Sequence, residues 1–271
     1  MAEKREERYT MSHEQRMIEL LTRRTAKHNA AFFTPHLRPS MNVLDCGCGP
    51  GNISLDLAQI ASSGHITGID MEVSQISMAS AEAAKRGITN ATFTQANVYE
   101  LPFADNTFDA VFTHTLVSHL AEPAKGISEM RRVLKPGGIL GIRDLQFSNN
   151  IVGPRDHPMI GEGARLFAEL MRANGGDPDV GHKLPSIVST VGFTLLSATS
   201  SSDVFALPDD IDWFGQWINS FFALAPIAGR MMELGLTTAE HIEEIQDAAL
   251  EWGVAPGAFF AMCFVEVVGK K

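Results

Sequence analysis

Three glycines separated by single residues stand in the segment Asp45-Cys46-Gly47-Cys48-Gly49-Pro50-Gly51, directly after an apolar run that ends in an acid. Glycine adopts backbone conformations closed to other residues and lets main chain approach a ligand closely, while the Asp45 carboxylate can accept hydrogen bonds from it. A second apolar run ends in Gly68-Ile69-Asp70, about 25 residues after Asp45, where an acidic side chain can take both hydroxyls of a ribose. Together they describe a ligand-binding turn with a sugar-reading acid beside it.

Such a turn works at the carboxyl edge of a parallel sheet, and the rest of the chain supplies one. Short apolar runs predict strands at Asn42 to Cys46, His65 to Asp70, Thr92 to Ala96, Phe108 to Thr113 and Ile139 to Asp144. Between them, Ile53 to Ser62, Ser74 to Arg86 and Pro123 to Leu134 read as helices, the last stopped by Lys135-Pro136-Gly137-Gly138. This alternation implies crossover units and an α/β fold. Ahead of it, Met17, Leu20, Leu21, Ala30 and Phe33 predict a helical arm from Ser12 to Phe33, ended by Pro35 and Pro39.

Beyond Asp144 the alternation breaks: one short helix is expected at about Gly163 to Asn174, then a strand from Phe193 to about Val204. Asp209 to Ala225 sets Trp213, Trp217 and Phe221, and also Phe214, Ile218 and Phe222, at four-residue steps, stacking aromatics on one helix face. Thr237 and Glu240 form a capping box for a further helix striped by Ile242, Ile245, Ala249 and Trp252. Ala258 to Val268 reads as a last strand.

The 271 residues, 45% hydrophobic and 20% charged, have globular proportions for one main core. A formal net charge of -10 argues against wide contact with a phosphate backbone, so no nucleic-acid partner is expected. The basic stretch Lys4 to Lys27 is interleaved with Glu3, Glu6, Glu7, Glu14 and Glu19 and reads as a solvated helix face, not a transit peptide. No segment approaches the run of about 20 apolar residues that a membrane span needs, and a cytoplasmic protein is expected. Cys46, Cys48 and Cys263 are too few for a disulfide framework or a four-ligand zinc site, and no metal is expected.

The stretch Val43 to Asn52 resembles the first motif of the class I methyltransferases that use S-adenosylmethionine (SAM). Gly68-Ile69-Asp70, Leu101-Pro102-Phe103, Phe108-Asp109-Ala110-Val111 and Leu134 to Gly138 extend the resemblance over about residues 41 to 145. It is closest to the branch of ubiquinone- and menaquinone-pathway methyltransferases. The resemblance implies a Rossmann-like seven-stranded sheet whose last strand is antiparallel and lies beside the sixth. It also implies one methyltransferase domain, divided into an arm (1–40), a SAM-binding core (41–145), a variable substrate region (146–190) and two last strands with a helical insertion at about 207–256 (191–271). By position it puts Gly47, Gly49 and Gly51 against the methionine and ribose portions of SAM, Asp70 on the ribose hydroxyls and Met71 on the adenine. Asn97 stands where the family usually has an acid near the adenine amino group. Asp45, Cys48, Val98 and Thr113 complete the expected cofactor set.

The implied activity is methyl transfer to a small, hydrophobic O-, C- or N-acceptor, the aromatic helix roofing its pocket. A base is needed only where the acceptor arrives protonated; His114, after the fourth strand, is the first candidate, His119 the second, with His157 and His182 behind them. Tyr9 and the arm behind it could close over the cofactor as a lid. A nicotinamide fingerprint would place two residues between the second and third glycines, whereas only Pro50 separates Gly49 from Gly51. Nucleic-acid amino-methyltransferases carry Asn or Asp, two prolines and an aromatic where this chain has Thr113-His114-Thr115-Leu116. A SAM-binding enzyme catalysing a pericyclic or decarboxylative step, or a non-catalytic SAM-binding partner, would carry the same loop.

Overall fold

The computed structural model describes residues 7–12, 14–154 and 157–271; Glu3, Lys4 and Glu6 of the basic stretch lie outside them. Strands β1 (Asn42–Cys46), β2 (His65–Asp70), β3 (Ala91–Gln95), β4 (Phe108–His114) and β5 (Leu134–Leu145) are parallel in the order β3-β2-β1-β4-β5. The sheet continues past β6 (Ile151–Gly153) and β7 (Thr194–Phe205) to β8 (Phe259–Lys270), which runs antiparallel between β5 and β7. The last long strand therefore lies beside the one before it in sequence, as expected. Short β6 extends the edge of β5 against the start of β8, making an eighth strand that the sequence pattern does not announce.

Strand β1 is buried from Val43 to Cys46 and covered on both faces, and its apolar side chains divide between them by period two. Val43 packs with Ile66, Ala110, Phe112 and the helix Asn52–Ile60 on one face, while Leu44 and Cys46 join Val111, Leu140 and the helix Pro123–Val133 on the other. The helices ahead of β7 are α1 (Gln15–Thr22), α2 (Ala26–Asn29), α3 (Asn52–Ile60), α4 (Val73–Arg86), α5 (Pro123–Val133), α6 (Pro158–Ala173) and α7 (Leu184–Thr190). Three more, α8 (Pro208–Ala223), α9 (Ala225–Glu233) and α10 (Ala239–Gly253), fill the segment between β7 and β8. With α1 and α6 they enclose a separate apolar cluster around Phe214 and Trp252.

The arm departs from the single helix expected from Ser12 to Phe33. Helix α1 stops at Thr22, and Thr25, in extended conformation, opens α2, its hydroxyl accepting from His28 N at 3.3 Å. The break turns Arg23 toward Asp210 and over the Trp213 ring at 4.3 Å, and frees Arg24 to point elsewhere. Helix α10 is capped by Thr238, whose hydroxyl accepts from His241 N at 3.2 Å, one residue later than expected; the Thr237 hydroxyl is buried without a partner. Among the described residues no helix is long and apolar enough to cross a membrane.

Candidate functional site

The chain leaves β1 toward β2 and β3, then returns to the opposite side of β1 as β4. This reversal opens a crevice at the carboxyl ends of β1 and β4, the place where open α/β sheets bind ligands. A cavity of about 350 Å³ lies there, in the size range of small-molecule sites.

Its floor is the glycine loop. Gly47, Gly49 and Gly51 have φ of 73°, 52° and 84°, a left-handed conformation that costs glycine little. The backbone N–H groups of Gly47 and Cys48 both donate to Ile69 O, at 2.8 and 2.9 Å, tying the loop to the end of β2. Gly49 N donates to Asp70 Oδ2 at 3.0 Å, and Glu72 N donates to Oδ1 at 3.0 Å. Gly51 serves packing rather than the cavity wall: a Cβ there would stand 2.7 Å from Ala79 Cβ, so only glycine lets α3 and α4 approach.

Beneath the loop, Asp45 is buried and accepts a 2.5 Å hydrogen bond from Ser54. Burial raises its carboxyl to about 7, against the lowering effect of the Ser54 hydrogen bond and with a smaller push from Asp70. Cys48 lines the cavity and Cys46 lies under it; burial raises both thiols, so they act as neutral packing groups.

The second wall follows β4. Asp144, fully buried at the end of β5, accepts from Val117 N at 2.7 Å and Ser118 N at 3.2 Å, which holds the turn Val117–His119 against the cavity. Thr115 has φ of 52°, a strained conformation for a β-branched residue. It places the Thr115 hydroxyl to accept from Arg24 Nη1 at 2.8 Å. The arm reaches the same wall: Glu7 Oε2 accepts from the Tyr99 hydroxyl at 2.6 Å and Ala121 N at 2.9 Å, and Tyr9 packs on His119 with ring centres 4.8 Å apart.

A second cavity of about 100 Å³ adjoins the first and is almost wholly apolar. Helix α8 roofs it with Phe214, Trp217, Ile218, Phe221 and Phe222, as the four-residue spacing implies. The rings of Phe214 and Trp217 are nearly parallel, at 3° and 5.8 Å between centres. Tyr9, Leu21, Arg24, Thr115 and His119 line both cavities.

Of the residues expected at the site, Asp45, Gly47, Cys48, Gly49, Asp70, Met71, Val98, His114 and His119 line the larger cavity. Asn97 does not; its side-chain carbonyl accepts from Tyr99 N at 2.9 Å and closes a turn instead. Thr113 is fully buried inside β4. His157 and His182 line neither cavity, and His182 bonds to Gln146 through both its backbone N–H and its ring.

The first choice of base needs correction. Strand register sets His114 opposite Arg143, and the buried Arg143 Nη1 donates to His114 Nε2 at 2.6 Å. That lone pair is engaged, and burial, with Arg24 and Arg143 nearby, holds the imidazole well below its ordinary protonation range. Among the described residues His119 Nδ1 has no hydrogen-bond partner, and burial followed by Arg24 lowers its pKa to about 4. It is neutral near pH 7, with a lone pair available at the junction of the cavities. Burial raises Tyr9 to about 12, so it stays a phenol and a hydrogen-bond donor. Arg24 and the positioning role of Asp144 escape sequence reasoning, because the break in the arm and the pairing of strands are both tertiary.

Residues 37–173 match the family model described as a methyltransferase domain. Over nearly its whole length the chain is 29% identical to a probable methyltransferase, ltbC, of Aspergillus luteorubrus, with 97% of each chain covered. It is 37% identical to the ubiquinone/menaquinone biosynthesis C-methyltransferase of Brucella suis, over 40% of this chain and 41% of that one. Among solved structures, the YcgJ protein of Bacillus subtilis superposes with a TM-score of 0.61 at 18% identity, covering 90% of this chain and 98% of that one, a likeness of fold. With its sheet order and the residues matched, the chain belongs to the methyltransferase domain family, in the class I arrangement that uses SAM.

Proposed function

We propose that the chain transfers the methyl group of SAM to a small hydrophobic acceptor seated in the aromatic cavity. The observation that carries this reading is the shared wall: the side chains of Tyr9, Leu21, Arg24, Thr115 and His119 line both cavities, so donor and acceptor spaces meet there. The larger cavity suits the cofactor, with Asp45 and Asp70 for its cationic and hydroxylic parts and Arg24 for its carboxylate. Asp70 would hold the ribose hydroxyls, Met71 and Val98 the adenine, and the Gly47 to Gly49 backbone the methionine portion. SAM would supply a methyl group already activated by its sulfonium charge.

What is left to the protein is alignment, exclusion of water and, for a protonated acceptor, removal of a proton. Tyr9 and the arm cover the junction, α8 excludes water from the acceptor side, and His119 Nδ1 takes the proton. Calorimetry with SAM and S-adenosylhomocysteine tests the first half of this reading. Mass spectrometry of extracts incubated with the protein and methyl-labelled SAM tests the second. No binding of either compound would overturn it, and binding without label transfer would point to a non-methylating use of the same fold.

The two histidines should separate cleanly. His119→Gln is expected to slow transfer to a protonated acceptor roughly 100-fold or more, with a much smaller change in S-adenosylhomocysteine affinity. His114→Ala strands a buried Arg143 donor and is expected to lower unfolding stability by about 1–3 kcal/mol. A slow His114→Ala enzyme with unaltered melting would restore His114 as the base.

Asp45 predicts a pH dependence. Its folded carboxyl titrates at about 7, against about 3.9 when unfolded, so the folded chain holds the extra proton between those values. Its contribution to stability is therefore lost as pH rises from about 4 to about 7. A cationic ligand favours the carboxylate, so the SAM-induced rise in melting temperature should grow between pH 6 and 8. Asp45→Asn should flatten that growth; thermal melts across the range, with and without SAM, decide.

A further inference from the structure

Two tryptophans are buried in the apolar cluster around α8, and their indole N–H groups fare differently. Trp252 Nε1 donates to Gly153 O at 2.8 Å, so its donor is used within the fold. Trp217, only 8% exposed, has no partner for Nε1 among the described residues. Buried indole donors ordinarily find an acceptor, and one left unmade is costly. Phenylalanine, which the same helix uses at 214, 221 and 222, carries no such donor.

Trp217 lines the smaller cavity and not the larger. The other hydrogen-bonding side chains of that wall, Tyr9, Arg24, Thr115 and His119, all belong to the boundary common to both cavities. The remaining lining is glycine, alanine, methionine, leucine, isoleucine and phenylalanine. The smaller cavity therefore has polar groups at two places: a cluster at the junction, and one isolated indole on its α8 wall. That indole is fixed, stacked on Phe214 and on Phe221 with ring centres 5.8 Å apart in each pair. A rigid donor in apolar surroundings discriminates between ligands, because one without an acceptor atom leaves the donor unpaired.

We propose that Trp217 is a specificity-determining residue whose indole N–H is received by an oxygen of the acceptor molecule. This rests on the reading of the smaller cavity as the acceptor space. The acceptor then has an apolar body with its methyl-accepting atom at the junction and a second group, a ketone, ester or ether oxygen, on the side of α8. A molecule that is hydrocarbon everywhere beyond its reacting atom is a poor substrate.

Indole 1H–15N spectra of the protein with S-adenosylhomocysteine, titrated with acetophenone or with α-methylstyrene, test this. The second probe has the shape of the first, with a methylene in place of the oxygen. Substituting Trp213, Trp217 and Trp252 one at a time by Phe assigns the three indole signals. Acetophenone should draw the Trp217 proton downfield and bind about tenfold more tightly than α-methylstyrene, the value of one hydrogen bond. In Trp217→Phe the two affinities should come within twofold of each other; the wild-type comparison stands whether or not that variant folds. Equal affinities in the wild type, or a Trp217 proton that bound acetophenone leaves in place, overturn the inference and leave the acceptor cavity standing. A wild type that binds neither probe overturns both.

Discussion

Asp70→Ala is expected to weaken binding of SAM and S-adenosylhomocysteine about 100-fold or more, as measured by calorimetry. A hydrogen bond to a charged group contributes about 1.5–3 kcal/mol, and the carboxylate would accept one from each ribose hydroxyl. The substitution also removes the acceptor of Gly49 N and of Glu72 N, so the glycine loop keeps only its Gly47 and Cys48 bonds to Ile69 O at the end of β2. Asp70→Asn should fall between the two, because the amide keeps one oxygen and gives up the charge. A loss of tenfold or less in Asp70→Ala would mean that the sugar is held elsewhere.

The second large effect is on stability. Phe214 is at the centre of the aromatic cluster, 4.2 Å from the Phe205 ring centre, 4.8 Å from Phe260 and 5.8 Å from Trp217. Phe214→Ala should cost about 3–5 kcal/mol, since the rings around it belong to a strand pair and a helix that cannot collapse into the space. Melting should fall by roughly 10 °C in a chain of this size. Trp213→Ala, which removes a half-buried ring and its contact with Arg23, serves as the milder comparison. Equal losses from the two substitutions would contradict the central place given to Phe214.

The parts of this architecture legible in the sequence are those with two constraints acting at once. Strands β1 and β2 run over the expected residues because apolar runs buried on both faces end in acids that mark the carboxyl edge. The aromatic face of α8 is written at four-residue spacing; Trp217 and Phe221 stack at that step, while Phe214 stacks on Trp217 at a three-residue step that joins the two series. The arm misleads because its apolar positions stay in phase across the break; what interrupts it is Thr25 capping α2 and Arg24 finding the Thr115 hydroxyl, 91 residues away. Helix α9 begins at Ala225, immediately after Leu224 turns the chain out of α8, where composition offers only a proline. His114 reads as a base until strand register sets Arg143 beside it.

The boundary common to the two cavities also shapes how this chain can diversify. Tyr9, Arg24 and Thr115 line both cavities, so under the proposed function a substitution there that admits a new acceptor also alters the hold on the donor. Phe147, Phe167 and Ile218 line the smaller cavity alone. Descendants with altered substrate preference should accumulate their changes at those outer positions, while the shared wall drifts slowly, tethered by two selective demands at once.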